Sequence, residues 1–469
     1  MFRKGRVASS SGILLAGLLT LGADARAQDE PKMLNPYAGD SRAARRGRSL
    51  FMSLGCSGCH GLMGGGGMGK PILDDTWIFG SDDETLYRLI KGRIPEQTMP
   101  RAYVGVPEQK VWQMIAYVRS LYKGDPALVN WPSKPPEGAL EALNERIKAA
   151  AGFKLPKGLH DMEIPVPPEN PITDGKIELG EQLFFDKRLS KNKDMSCETC
   201  HVPEKGWTDG QAFSKRYDGS VNELHTPTLF GTGFLYELFW DGRAANIEEA
   251  VLEVIKTQMG ADPEAVAKEL AAIPGYKSAF EAHMGGPPSA DGIAKALASF
   301  VRTLHAADTP YDNLPPGSHE SPIAQGFQVF SEVAHCTLCH LPPLFSDTVF
   351  HNIGISVDYR PDDKGYGQVL TERAQAAGEP VPERAEAMMG AFKTPSLRGL
   401  LMSGPYFHDG RAKTYEEAAD FMMKGGKANP HLDKKLKVYP ITPEQRDLLL
   451  AFVRSLTPES KPYSRPQLP

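Results

Sequence analysis

All six cysteines of the 469-residue chain fall into three copies of one pattern, Cys-x-x-Cys-His. This pattern is the signature for covalent attachment of c-type haem, because two thiols add to the vinyl groups of one porphyrin and the adjacent histidine binds its iron. Zinc sites and disulfides are the alternatives, but each cluster has one histidine and no nearby second pair of ligands, which fits zinc poorly. The sequence therefore predicts three covalent haem c groups, attached through Cys56, Cys59, Cys197, Cys200, Cys336 and Cys339 and bound at iron by His60, His201 and His340.

The residue on the far side of each iron decides what that haem does. A methionine there favours electron transfer, whereas an open face admits a small molecule. For the first haem we predict Met99, since it lies in a loop well after His60 and the following proline holds that loop extended. Three other methionines compete with it. Met63 lies too close to the attachment motif, Met114 is predicted to face the inside of a helix, and Met68 is the third.

Spacing constrains the other two haems less. The third unit has two methionine pairs, Met388-Met389 and Met422-Met423, and the residues alone leave the choice open. The middle unit has no methionine as well placed as Met99. Because its ligand candidates are weak, this haem is expected to keep an exchangeable or vacant face. Those candidates are Met259, Met284, Tyr217 and His225.

Two further patterns repeat with the attachment motifs. A Gly-x-x-x-Phe segment precedes each motif, at residues 47–51, 180–184 and 326–330. A Val-Arg-(Ser/Thr)-Leu segment closes a later helical pattern, predicted over residues 111–121, 293–304 and 445–456. Glycine lets two backbones approach closely, so each early helix can cross its late helix as in a class I cytochrome c. The predicted fold class is therefore mainly α, with three cytochrome c-like haem domains in tandem.

Proline-rich stretches divide the chain, because proline fixes φ, lacks a backbone donor and favours extended linkers. The first such group begins at Pro126 and the last ends at Pro322, and residues 138–151 are predicted as a short connecting helix. The expected organisation is a signal peptide (1–27), a mono-haem cytochrome domain (28–124), a linker (125–168), a middle haem domain (169–310), a second linker (311–322), a third haem domain (323–457) and an irregular tail (458–469).

The first 27 residues are typical of a secretory signal. Arg3, Lys4 and Arg6 precede an apolar run at 13–21, and small residues lie before a cut ahead of Gln28. An uncleaved anchor is the alternative, but the run is short for a membrane span. The mature chain is therefore expected to be periplasmic and without a membrane span, as suits haem attachment outside the cytoplasm. A net charge of −5 argues against a nucleic-acid surface.

Short motifs occur in a fixed order between residues 179 and 456. They lie at 179–190, 206–209, 226–229, 239–243, 350–354, 393–398 and 404–410. In type and order they resemble the bacterial dihaem cytochrome c peroxidases and their relatives, which include a methylamine-utilisation protein that oxidises tryptophan in a partner. Residues 28–124 instead resemble a mono-haem class I cytochrome c. The chain thus resembles a three-haem peroxidase whose last two domains form one dihaem peroxidase-like unit.

The resemblance implies roles for individual residues. The haem at His201 would be the peroxidatic one, and the haem at His340 the high-potential electron-transfer one. Met422 falls at the family's sixth ligand, and Trp240 matches the tryptophan between the two haems, which implies an electron relay. The family also binds calcium between its haems, partly through a residue that is usually Asn and is His225 here. A backbone carbonyl at that position can still serve as a calcium ligand.

The chain departs from the family around the middle haem. The family's acid–base Glu, which returns a proton to the departing oxygen of peroxide, is Gln258 here. An amide can orient peroxide but cannot accept and return a proton. The loop 214–223 lacks the family's capping histidine, so the haem would be open or capped by Tyr217. The carboxylates that could replace the missing base, although helical spacing makes them more often solvated, are Glu248, Glu249 and Glu253.

Three hypotheses from different classes follow. In the leading one, a periplasmic peroxidase passes electrons from the Met99 haem to the Met422 haem and, through Trp240, to the middle haem, where hydrogen peroxide or another small oxidant is reduced. The donor would be a small cytochrome, a cupredoxin or a quinol-linked complex, and homodimers are common in the family. The alternatives are an oxidase that acts on a protein or small organic substrate through high-valent iron, and a non-enzymatic electron-transfer cytochrome with three six-coordinate irons.

Overall fold

The computed structural model describes most of the chain after the predicted signal peptide, which lies outside the described residues. Those residues are 33–61, 63–66, 69–75, 77–94, 97, 99, 101–129, 131, 133–150, 154–160, 162–315, 317–355 and 364–469. From Leu34 to Pro469 they form one compact unit that is mainly helical. Among them, no helix combines the length and the apolar character that crossing a membrane requires.

The described residues of the first haem unit form four α-helices and a 3-10 helix, Arg101–Gly105, and two more α-helices follow. Asp40 caps the first of them by accepting the backbone N–H groups of Arg42 and Ala43. The short helix Cys56–His60 carries the attachment motif, and Met114 is buried on a later helix, 2% exposed. The bounds are Ser41–Ser53, Cys56–His60, Asp83–Ile90, Glu108–Leu121, Pro126–Val129 and Ala139–Ala150.

The middle and third units are also helical, and in both the attachment motif begins on a 3-10 turn, Cys197–Thr199 and Cys336–Leu338. The middle unit contains helices Asp174–Phe185, Ile247–Thr257, Pro263–Ala271, Pro274–Met284 and Ala290–Val301. The third contains Pro322–Gln328 with a π-helical extension Val329–Val333, then Gly365–Ala377, Arg384–Ala387, Tyr415–Met423 and Pro443–Ser455. A two-stranded antiparallel ribbon pairs Phe350–His351 with Phe392–Lys393, in the register Phe350 to Lys393.

The predicted helix crossings occur in all three units. Helix Ser41–Ser53 packs on Glu108–Leu121, Asp174–Phe185 on Ala290–Val301, and Pro322–Gln328 on Pro443–Ser455. At each crossing a glycine touches the partner backbone so closely that a Cβ would overlap a carbonyl oxygen. The pairs are Gly47 with Gln113, Gly180 with Ala296, and Gly326 with Leu448. The repeated glycine is therefore the residue that allows each crossing.

The repeated arginine near the end of each late helix ties that helix to its own unit. Arg302 makes a two-bond ion pair with Glu248, at 2.7 and 2.9 Å. Arg454 donates to the Tyr415 hydroxyl at 2.7 Å. Arg119 forms an ion pair with Asp83 and lies over the Trp131 ring, 4.8 Å from its centroid. The two-bond Arg302–Glu248 pair fixes orientation as well as contributing energy.

Two proline predictions are wrong. Pro126 begins the helix Pro126–Val129, and Pro322 begins the helix Pro322–Gln328, where Ser321 caps the N-terminus. Proline is well suited to the first position of a helix, since no intrahelical partner exists there for its missing N–H. The predicted connecting helix is found as Ala139–Ala150. The three late helices begin two or three residues before the predicted starts, two of them at caps from Ser289 and Thr442.

Candidate functional site

The three attachment histidines share one local geometry. Each Nδ1 lies within hydrogen-bond distance of a backbone carbonyl later in the chain: His60 to Lys70 at 2.9 Å, His201 to Trp207 at 2.8 Å and His340 to Phe345 at 2.9 Å. A histidine whose Nδ1–H donates in this way presents Nε2 to a metal in a fixed orientation. All six cysteines are free of disulfides. These features fit c-type haem at all three motifs.

A continuous cavity of about 980 Å³ joins the middle and third attachment motifs. Its lining includes both proximal histidines, His201 and His340, together with their cysteines. Trp240 lines the same cavity. The space is apolar over most of its wall and large enough for cofactors rather than for water alone.

Trp240 is held between the segments that carry the two motifs. Its indole Nε1 donates to the His225 carbonyl at 2.8 Å, and its own carbonyl accepts from the Lys393 backbone N–H at 2.9 Å. Its ring lies 6.5 Å from the His408 ring, and His408 stacks on Phe392 at 3.6 Å. The predicted relay residue is thus fixed by hydrogen bonds to the middle unit on one side and the third unit on the other.

Three hydrogen-bonded polar side chains lie where the resemblance implies an acid–base residue. Gln258 follows the last residue of helix Ile247–Thr257, and its Oε1 accepts from Asn222 Nδ2 at 3.3 Å. Asn222 Oδ1 in turn accepts from Arg216 Nε at 2.8 Å. All three side chains line the cavity. These three side chains supply amide donors from Gln258 and Asn222 and the guanidinium of Arg216, but no carboxylate.

The three carboxylates proposed as substitutes are engaged elsewhere. Glu248 is held by Arg302. Burial raises the pKa of Glu248, but Arg302 and Asn170 outweigh it and lower that pKa. Glu249 accepts the backbone N–H of Ala245 at 2.9 Å. Glu253 does line the cavity, but it is paired with Arg243 at 2.7 Å. Each of the three therefore has a hydrogen-bond or ion-pair partner other than Gln258.

The sixth-ligand candidates occupy distinct environments. Met99 is half-buried, and its carbonyl accepts from Gln97 Nε2, which also donates to helix Asp83–Ile90 at Leu89. Of the other first-unit methionines, Met63 is 59% exposed and Met114 lies in the core, while Met68 lies outside the described residues. Met99 stays the prediction for the first iron.

In the dihaem part, cavity lining separates the candidates. Met422, Met423 and Met259 line the cavity, whereas Met388 packs against the cluster around Phe350. The Tyr217 ring instead packs against Gly260 and under the Lys191 ammonium, 5.2 Å from it. These positions favour Met422 or its neighbour as the third-unit ligand, and Tyr217 is not among the described residues that line the cavity.

The first attachment motif lies beside the third. Helix Cys56–His60 packs on the turn Cys336–Leu338, and a Cβ on Gly55 would lie 3.4 Å from the Leu341 side chain. The pKa of Cys59 is raised mainly by burial, and among the charges that act on it are those of Asp347 and Cys339. Two of the three attachment sites are therefore adjacent across the boundary between the first and third units.

A buried charge cluster lies at this boundary. His351 bridges two carboxylates, with Nε2 2.7 Å from Asp347 and Nδ1 2.5 Å from Asp433. Burial disfavours the charged imidazole, but the two carboxylates outweigh it and raise the pKa of His351 well above its usual value. Cys339, Asp347 and His351 have potential metal-ligand atoms within 4.8 Å of one another. Cys339 is a haem attachment residue, and both nitrogens of the His351 imidazole face carboxylates. We therefore interpret the cluster as a structural ion-pair network and not as a metal site.

The residues around His225 do not fit the family's calcium ion. The imidazole offers nitrogen where calcium takes oxygen ligands, and its Nδ1 is 2.7 Å from the Gln211 carbonyl. The His225 carbonyl is already an acceptor for Trp240, and the backbone N–H of His225 donates to the His408 carbonyl at 2.7 Å. Burial lowers the pKa of this imidazole. The side chain, carbonyl and N–H of His225 are therefore all engaged in hydrogen bonds within the protein.

Sequence reasoning did not identify several residues of the site. Arg216 and Asn222 come from a loop, and only the folded chain brings them to Gln258. Lys393 and His351 lie in the motifs at 393–398 and 350–354, and this membership is the feature of the sequence that could have identified them. Lys393 Nζ donates to the Phe239 carbonyl at 2.7 Å, and burial lowers the pKa of Lys393 to about 7.

Comparison with known proteins places these features in a family. Residues 174–320 match the family model for di-haem cytochrome c peroxidase, and residues 42–118 match that for the cbb3-type cytochrome c oxidase subunit III. The methylamine utilization protein MauG of Methylorubrum extorquens is 33% identical over 381 residues, covering 79% of this chain and all of that protein. Cytochrome-c peroxidase IdrP1 of Denitromonas iodatirespirans is 31% identical over 71% of this chain and 95% of its own length.

Among solved structures, a MauG-like protein associated with microbial copper homeostasis aligns with a TM-score of 0.55 at 28% identity, over 66% of this chain and 97% of that one. The diheme peroxidase BthA of Burkholderia thailandensis, at 19% identity and a TM-score of 0.51 over 63% and 92%, shares the fold. With three attachment motifs, the joined cavity and a full-length relative at 33% identity, the chain belongs to the dihaem cytochrome c peroxidase/MauG family and carries an additional N-terminal cytochrome c domain.

Proposed function

We propose that this protein is a periplasmic three-haem peroxidase that reduces hydrogen peroxide to water at the middle haem. The observation that carries the proposal is the single cavity that joins the His201 and His340 motifs, with Trp240 on its wall. When bound, the haems supply the electron carriers and the iron at which peroxide is reduced. The remaining work falls to side chains that orient peroxide, move electrons between sites and control protons.

The polar chain at Gln258 is suited to orienting peroxide. Gln258 and Asn222 present amide groups, and Arg216 stands one hydrogen bond away, where its charge favours a departing oxygen as negative charge develops there. Reduction of one H2O2 consumes two electrons and two protons and releases two water molecules. Because the described carboxylates near Gln258 are paired, we expect the protons to come from solvent at a lower rate than a positioned Glu would allow.

The first unit is proposed to deliver the electrons. Its attachment helix lies against the third unit, so the order Met99 haem, Met422 haem, Trp240 and middle haem follows neighbouring sites. A donor domain in the same chain replaces a bimolecular encounter with a high effective concentration, on the order of millimolar for short tethers. An external donor such as a small cytochrome, a cupredoxin or a quinol-linked complex would then reduce the first haem.

The test is steady-state oxidation of a reduced small cytochrome by peroxide, using the full-length three-haem protein. We expect turnover well above that of free haem, and a large loss in Met99→Ala with full haem content. Lys268→Ala, an exposed change on helix Pro263–Ala271, is the matched control. Turnover equal to that of free haem would refute the peroxidase assignment.

A second candidate is oxidation of a protein or small organic substrate. Gln258 and the paired state of Glu253 favour it, because slow peroxide turnover would leave the oxidised protein time to react with another donor. One relative is named as a methylamine utilization protein. Peroxide-dependent loss of an added organic donor, faster than cytochrome oxidation, would select this candidate.

A further inference from the structure

The segment 458–469 leaves the third unit and lies across the middle unit without forming a helix or strand. Tyr463 is its anchor. The Tyr463 ring stacks on Phe185 at 5.6 Å and meets the Trp207 ring edge-on at 5.2 Å, and its hydroxyl donates to Glu181 at 2.5 Å. Further along, the Pro469 carbonyl accepts from Arg188 at 3.0 Å. An irregular segment is thus fixed at two points on another haem unit.

Arg465 makes a second attachment, and it does so at the haem motif itself. Its guanidinium donates to Glu198, inside Cys197-x-x-Cys200, at 2.7 Å and to both oxygens of Glu204, on the turn after the motif. The guanidinium lowers the pKa of Glu204 to about 2. The Arg465 side chain is 39% exposed, so this network contributes less energy than its geometry suggests.

The Tyr463 contact leads to the proximal histidine of the middle haem, and the Arg465 contacts hold the attachment motif and the turn that follows it. Trp207, against which Tyr463 packs, is the residue whose carbonyl accepts from His201 Nδ1. Trp207 has positive φ, at 62°, a backbone conformation that neighbouring contacts must hold in place. At the third haem the equivalent carbonyl belongs to Phe345, which is fully buried among aromatic residues of its own unit, such as Tyr311 and Phe452. In the middle unit, part of the packing around Trp207 comes instead from Tyr463 in the tail that follows the third unit.

We propose that residues 458–469 form a proximal strap in which Tyr463 and Arg465 are positioning residues for His201. Tyr463 keeps the Trp207 carbonyl in place as the acceptor for His201 Nδ1, and Arg465 holds the attachment motif at Glu198. Together they keep the His201 imidazole in one orientation with a strong hydrogen bond. A strong Nδ1–H donation makes the imidazole more electron-rich and stabilises oxidised iron. This proposal rests on haem at His201 and not on peroxide as the substrate.

The experiment compares Tyr463→Ala, Tyr463→Phe, Arg465→Ala and Lys461→Ala in the full three-haem protein. The readouts are the three reduction potentials from spectroelectrochemistry and the electron paramagnetic resonance signals of the ferric haems. The middle haem is assigned as the set of signals lost in the Cys197→Ala, Cys200→Ala double variant. The first and third haems of each sample serve as internal controls for folding.

We expect Tyr463→Ala to shift the middle-haem potential upward and to broaden its resonance signal, while the other two haems keep theirs. Arg465→Ala should shift it by less, because that side chain is exposed, and Tyr463→Phe should keep the ring contact and the potential. Unchanged middle-haem signals in Tyr463→Ala would overturn the proposal. An equal shift of all three haems would also overturn it, since that result indicates general loosening.

Discussion

The substitution Gln258→Glu tests whether the missing carboxylate limits the proposed reaction. The position is well defined: the Gln258 carbonyl accepts from the Tyr217 N–H at 3.0 Å, and its side-chain oxygen accepts from Asn222. A glutamate there keeps the same acceptor oxygen and adds a group that can take up and return a proton. The variant therefore changes proton transfer while preserving the neighbouring hydrogen bond.

The expected gain follows from these contacts. A positioned carboxylate typically contributes ~10²–10⁴-fold to a proton-transfer step. The Asn222 to Gln258 bond is long at 3.3 Å, and Arg216 lies one bond further on, where its charge disfavours protonation of a new carboxylate. We therefore expect a gain at or below the lower end of that range, a rise in kcat/KM for peroxide of ~10–100-fold, which lowers the barrier by about 1.4–2.7 kcal/mol.

The assay is the initial rate of cytochrome oxidation at several peroxide concentrations between pH 5 and 8, with haem content measured for each variant. Gln258→Ala removes the amide without adding a base, and Asn222→Asp adds the same charge at the adjacent position. The gain should appear in Gln258→Glu alone. A change of less than twofold at full haem content, or the same gain in Asn222→Asp, would refute the reasoning.

Four further predictions follow. Trp240→Phe removes the Nε1 bond to His225, and stopped-flow spectroscopy should show middle-haem reduction slowed at least tenfold with attachment intact; an unchanged rate would exclude the relay. Gly326→Ala places a Cβ on the Leu448 carbonyl and should cost ~1–3 kcal/mol in urea unfolding, whereas Gly286→Ala, with open space around it, should change little. Full-length protein that has not met a chelator should contain no stoichiometric calcium by elemental analysis, and EGTA should leave its haem spectra unchanged; one calcium per chain, or a spectral change with EGTA, would contradict this. Burial raises the pKa of Asp186, but hydrogen bonds from Arg188 and Tyr276 outweigh it and lower the pKa below its usual value of 3.8. The ionised Asp186 therefore stabilises the folded protein above that pH, and this stabilisation is lost as pH falls. Asp186→Asn should make the melting temperature fall less steeply in acid.

The parts of the fold that repeat were predictable, because each repeat marks a constraint that every unit must satisfy. Gly47, Gly180 and Gly326 each lie where two helices cross, and the sequence shows this through spacing alone. Pro126 and Pro322 were misread, since proline at a helix start and proline in a linker look the same without the flanking cap. Local spacing therefore predicts crossings better than boundaries.

The candidate site was predictable only where a motif carries it. The attachment cysteines, their histidines and Trp240 lie in short patterns, whereas Arg216, Asn222 and the strap residues Tyr463 and Arg465 act through contacts between distant segments. Arg465 and Glu198 are 267 residues apart, and no local pattern marks such a pair. The distant contacts follow from how the units pack, which a single sequence does not encode in any short window.

The packing also explains why the middle haem can differ from the other two while sharing their local attachment. Each proximal histidine donates to a carbonyl in the same way, so the proximal bond alone does not distinguish the sites. The differences lie around it: the first and third motifs adjoin one another, whereas Trp240 is hydrogen-bonded between the middle and third units and the proposed strap packs on the middle one. Under the proposed function, a site that receives electrons through Trp240 and is held on its proximal side by the proposed strap would leave its remaining face to Arg216, Asn222 and Gln258. On this reasoning, loosening the strap would alter the middle iron first, and altering Gln258 would change what that iron does without changing how it is held.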